Sequence, residues 1–68
     1  MVKHQDKLIN SLNITSIEVQ DEYEQPALLI NYIGDTFDRL EFETIQRAME
    51  FVGELEDEIA GKLPIKRT

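Results

Sequence analysis

The chain contains no cysteine and no tryptophan, and only three glycines, two prolines and one histidine in 68 residues. Without cysteine there can be neither a disulfide nor a thiolate metal site, which suits a reducing compartment. A lone histidine cannot build a zinc site. Lying close to the N-terminus, His4 is expected to be a solvated surface residue. The glycines stand isolated at positions 34, 53 and 61, so no loop has the pattern that cradles a phosphate. Neither Ser11 nor Ser16 has a base at a recognisable spacing or the glycines of a nucleophile elbow. The Asp-x-Asp-x-Asp-Gly pattern of a calcium loop is also missing, which leaves Asp21, Glu22 and Glu24 as a solvated acidic loop. These absences predict a protein that is not an enzyme and has no catalytic residue, no metal site and no cofactor.

Long apolar runs are lacking too. The longest, residues 27–30, falls far short of the roughly 20 residues that span a bilayer. The opening MVKHQDKLINSL has no apolar stretch of the kind that forms a signal-peptide core. A cytoplasmic protein without a membrane segment is therefore expected. Basic residues are scarce, with seven Lys and Arg against fourteen Asp and Glu and a net charge of −7. Direct nucleic-acid binding needs a basic stripe to displace counterions from phosphates, so this balance argues against it.

What the sequence does have is enough apolar residue, 41%, for one small core. At this length that means a single domain over residues 1–68, with mobile ends expected at 1–4 and 65–68. Residues 4–13 carry Leu8, Ile9 and Leu12 in an i, i+1, i+4 set that predicts a short helix. Residues 14–20 read as a half-buried strand, with Thr15, Ile17 and Val19 on one side and Ser16, Glu18 and Gln20 on the other. After a loop over residues 21–26 that ends on a proline, residues 27–33 are apolar at six of seven positions and read as the central strand. A turn over residues 34–36 leads to a third strand carrying Leu40 and Phe42, with Leu28 and Ile30 expected opposite Phe42 and Leu40 on the inner face, whereas a two-residue turn at Gly34-Asp35 would put Ala27 and Leu29 there instead. Ile45, Ala48, Met49, Val52, Leu55, Ile59 and Ala60 trace the stripe of an amphipathic helix. Thr44 is its N-cap, and Gly61 and Pro64 are its stop. The predicted fold class is α+β: a three-stranded antiparallel meander with a C-terminal helix on one face and a short N-terminal helix, in the order α-β-β-β-α.

The charge is unevenly spread. Residues 14–61 hold thirteen of the fourteen acids but only two basic residues, Arg39 and Arg47. On the helix, Glu50, Glu54, Asp57 and Glu58 form a carboxylate row opposite the apolar stripe, although like charges at i, i+4 cost about 0.2–0.5 kcal/mol per pair. Glu56 projects into the apolar stripe itself, which calls for fraying or a basic cover at that end. Glu18, Glu41 and Glu43 share the outer sheet face, where Leu29, Ile33 and Phe37 would form an apolar spot among them. Acids at such regular intervals imitate a phosphate backbone in spacing and sign.

The expectation is an acidic protein-binding module, an inhibitor or regulator that blocks a basic surface on a target protein. Its partner-binding residues would be Glu18, Glu41, Glu43, Glu50, Glu54, Asp57 and Glu58, with Leu29, Ile33 and Phe37. The alternative is a homodimerising module that pairs through Leu29, Ile33 and Phe37. In element order and sign of charge the chain resembles, as a type, small phage-encoded inhibitors, including anti-CRISPR and DNA-mimic proteins. That resemblance covers architecture and charge and rests on no sequence motif.

Overall fold

Alternating apolar residues in the middle of the chain build the sheet, and one strong helical period follows it. The computed structural model describes residues 1–21 and 25–67. Strands β1 (Val2–His4) and β2 (Lys7–Ile9) form a hairpin, and a single 3₁₀ turn at Ser11–Asn13 leads into β3 (Ile14–Gln20). Then come β4 (Ala27–Tyr32), β5 (Phe37–Glu41), the helix α1 (Ile45–Ile59) and β6 (Ile65–Arg67). The larger sheet runs β5-β4-β3-β6, antiparallel except that β6 lies parallel to β3. The class is α+β, with α1 as the one helix longer than a single turn among the described residues.

The expected meander is present as β3, β4 and β5, and β6 extends it. The expected N-terminal helix is not. Its apolar triplet splits, with Ile9 buried at 1% exposure while Leu8 and Leu12 stand at 65% and 75%. Three apolar residues cannot nucleate a helix against the entropy of its first turn, whereas Val2 pairs with Ile9 and His4 with Lys7 around the tight Gln5-Asp6 turn. Gln5 takes a positive φ of 55°, as the first central position of a type II′ turn does. The expected loop over residues 21–26 lies partly outside the described residues.

Register corrects the reading of the third strand by two positions. Leu28 faces Leu40 and Ile30 faces Asp38, so Leu28 and Ile30 do not face Phe42 and Leu40. The loop closes one residue early, because Gly34 and Asp35 both take positive φ and the Tyr32 N–H donates to the Thr36 carbonyl at 2.8 Å. A shift of two residues preserves the faces, so Leu28, Ile30, Leu40 and Phe42 still point inward. In β3 a bulge between Ile14 and Ser16 reverses the alternation. It buries Ile14 and leaves Thr15 exposed, opposite to the simple alternating pattern.

The core lies between the inner sheet face and α1, with Ile17, Val19, Leu28, Ile30 and Leu40 against Ala48, Phe51, Val52 and Leu55. Thr44 caps the helix as expected, its side chain accepting from the Arg47 N–H at 3.1 Å. At the other end the left-handed residue is Ala60, not Gly61. Gly61 N–H donates to the Glu56 carbonyl and Ala60 N–H to that of Asp57, the paired bonds of a Schellman ending. Ala60, expected in the apolar stripe, is exposed, and Phe51, which was not expected there, is buried in it.

Glu56, out of place on the helical wheel, finds its partners in the returning chain. Its carboxylate is 15% exposed, accepts from the Leu63 N–H at 2.9 Å and has Lys62 Nζ at 3.8 Å. The helix neither frays there nor waits for a foreign cation.

Candidate functional site

Four of the carboxylates singled out from sequence meet at one groove. Glu41 ends β5, Glu43 sits between β5 and α1, and Glu50 and Glu54 stand one helical turn apart on α1. Together with Lys3, Gln5 and Arg47 they line an open cavity of about 470 Å³. Its wall is aromatic. His4, brought in by the hairpin, lies tilted against Phe42 with ring centroids 4.5 Å apart and meets Phe51 edge-on at 5.4 Å, while Phe42 and Phe51 are 5.6 Å apart. His4 is thus a packing residue rather than a solvated one, and its buried Nε2 has no hydrogen-bond partner.

The rim carries an excess of negative charge. Glu41 accepts from Arg39 at 3.1 Å, and Arg47 reaches Glu50 at 3.9 Å, a loose pair exposed on both sides. Glu43 and Glu54 make no ion pair among the described residues. Exposed pairs of this kind contribute about 0–1 kcal/mol and leave the groove's potential negative. The chemistry available is attraction of a cationic group over an aromatic wall. The described residues include no cluster of three or more His, Asp or Glu placed to hold a metal ion.

The remaining site residues lie elsewhere. Glu58 turns toward the hairpin end, where one oxygen accepts from the Ser11 N–H at 3.2 Å and the other receives the Met1 amino group. The amino-group bond, followed by the Ser11 contacts, holds its carboxyl below the ordinary range. Asp57 sits at the far end of α1 beside Gly53, Glu56, Ala60, Gly61 and Lys62. Glu18 is on the outer sheet face with Lys66 of β6 directly beside it. The helical row is thereby split three ways.

The outer face is more polar than its sequence suggests. Leu29 sits between Glu18 and Arg39, and Phe37 pairs with Asn31. Ala27 lies between Gln20 and Glu41, and the Arg39 guanidinium binds both of those side chains, at 3.2 and 3.1 Å. The Arg39 arm must therefore cross over Ala27, which has 0% exposure. Ile33 and Phe37 remain exposed at 67% and 63%.

Sequence reasoning missed two residues of the groove wall. Phe51 falls three residues after Ala48 and four before Leu55, so helical periodicity could have placed it in the stripe. His4 gave no such signal, because a three-residue strand is too short to show alternation.

The sequence matches no protein-family model and no curated protein, and the structure matches no solved structure. The resemblance to small phage inhibitors has also lost its element order, since the chain begins with a hairpin instead of a helix. No helix among the described residues is long and apolar enough to cross a membrane.

Proposed function

We propose that this protein is a small acidic binding module that seats a basic segment of a target protein in the groove between the end of β5 and α1, acting as an inhibitor or regulator by covering that surface. The observation that carries the reading is the convergence of Glu41, Glu43, Glu50 and Glu54, from two elements, on one aromatic-walled groove. An aliphatic stem with a cationic tip fits such a site, since Lys and Arg lay their stems on apolar surface and keep the charge at the rim. The target surface would be one that ordinarily holds nucleic acid, because a basic surface that accepts this group of carboxylates is one suited to phosphates. Catalysis and a cofactor have no part in this proposal.

The test is titration of the protein with a Lys/Arg-rich peptide, followed by calorimetry at low and high salt. Glu43→Lys/Glu54→Lys is the informative variant, because neither side chain supports the fold. Glu58 is unsuitable, being tied to the hairpin. Binding should weaken more than tenfold in the double variant and fall with salt, while Asp57→Lys, on the far end of α1, should change it less than threefold. Equal loss in both variants would reduce the effect to net charge and remove the groove from the explanation.

A further inference from the structure

We infer that two copies of this chain associate through β5, joining their sheets antiparallel about a twofold axis at Leu40. This goes beyond the groove reading, with which it shares Glu41, and rests on the edge of the sheet. β5 is its terminal strand. The Tyr32 N–H donates to the Thr36 carbonyl and the Phe42 N–H to that of Pro26, so the even-numbered residues of this segment direct their backbone groups at β4. By alternation Phe37, Arg39 and Glu41 direct theirs to the opposite side. A second strand added there takes its ladder bonds from those residues.

Charge then selects the register. Arg39 and Glu41 lie two residues apart on the outer face. Antiparallel pairing centred on Leu40 sets Arg39 opposite Glu41 of the second copy and Glu41 opposite its Arg39, giving two attractive cross-strand pairs that must compete with the bonds Arg39 makes to Gln20 and Glu41 of its own chain. Pairing centred on Arg39 sets like guanidinium groups together, and pairing centred on Glu41 does the same with carboxylates. Opposed charges directly across a strand pair attract and like ones repel. An edge kept solitary carries charged side chains, a proline, a bulge or an inward-pointing charge, and the inward charge of β5, Asp38, is already held by Lys7 and Tyr32. The Arg-x-Glu pattern of β5 is instead complementary to itself, which is the condition for a twofold interface. Each copy bears −7, so the long-range term opposes association and salt should strengthen it.

The experiment is sedimentation equilibrium from low to high micromolar protein, with circular dichroism to confirm folding. Wild type should form dimers, more of them at higher salt. Arg39→Glu alone and Glu41→Arg alone should each weaken the dimer at least tenfold, since each brings like charges together. Mixed in equal amounts, the two variants should form a heterodimer, because the chain with two acids then faces the chain with two arginines. A wild type that stays monomeric throughout overturns the inference, and so do folded single variants that dimerise as wild type does. A dimer indifferent to these changes but lost in Phe37→Ser would place the contact on the outer sheet face instead.

Discussion

Glu56 shows how one misplaced side chain can organise the chain around it. A carboxylate in an apolar stripe costs desolvation unless its oxygens are satisfied, and here the Leu63 N–H and the Lys62 ammonium do so. The bond fixes the path from the end of α1 to Leu63, which is 8% exposed and closes the core. Glu56→Ala removes the acceptor for a part-buried N–H and should cost about 1–3 kcal/mol. In a domain this small that is a melting temperature lower by roughly 4–8 °C per kcal/mol. Glu56→Gln keeps a carbonyl oxygen in place and should recover much of the loss. Thermal denaturation of the three proteins decides this, and a melting point unchanged in Glu56→Ala would show the bond to be idle.

Among the elements, the hairpin adds only Ile9 to the buried core, with Val2 packed against it, and is also tied down by polar contacts. Asp38 on β5 accepts from Lys7 Nζ at 2.9 Å and from the Tyr32 hydroxyl at 2.8 Å. The Lys7 bond, then the Tyr32 bond, lowers the Asp38 carboxyl below its ordinary range. Burial, reinforced by Asp38, pushes the Tyr32 phenol well above its own. The two signs differ. Asp38, with Glu58, contributes stability that is present above the unfolded carboxylate pKa of about 4 and is lost as pH falls through the lower folded values. Tyr32 contributes stability that is present below the unfolded phenol pKa of about 10 and is lost as pH rises toward its raised folded value. Melting temperature should therefore hold steady between those limits and decline on both sides. Asp38→Asn should flatten the acid decline, and a melting curve as steep in the variant as in wild type would remove this aspartate from the account.

Legibility also differs by element. The meander and α1 could be read because periodicity is repeated over many residues, and Thr44 was legible as a cap by residue type alone. The hairpin was not, because three-residue strands carry one alternation each and Gln5-Asp6 lacks the Asn-Gly signature of a tight turn. β6 was hidden for a different reason. Ile65, Lys66 and Arg67 contain a single apolar residue, and pairing with β3 is set by tertiary context. The position of the helix stop was misread by one residue, since glycine is the usual occupant of the left-handed site and Ala60 takes it here.

Over the whole molecule, the cations at the two ends of the chain fold back onto the acidic middle. Lys7 meets Asp38, Lys62 meets Glu56, and Arg67 meets Asp21 at 3.1 Å. The acidity legible in the sequence is thereby tempered at these points, while at the groove Glu43 and Glu54 stand without an ion pair among the described residues. That distribution depended on contacts between distant parts of the chain, so no local count of charges could have located it.

The parallel docking of β6 on β3 has a kinetic corollary. Ile65 can reach Ile17 only after the meander and α1 between them have taken shape, since that span must close before the ladder gains a single bond. The last strand should accordingly be absent from the folding transition state and act afterwards as a latch. Ile65→Ala would then accelerate unfolding while leaving the refolding rate almost unaltered. Stopped-flow rates showing slower refolding in its place would assign the tail to the nucleus.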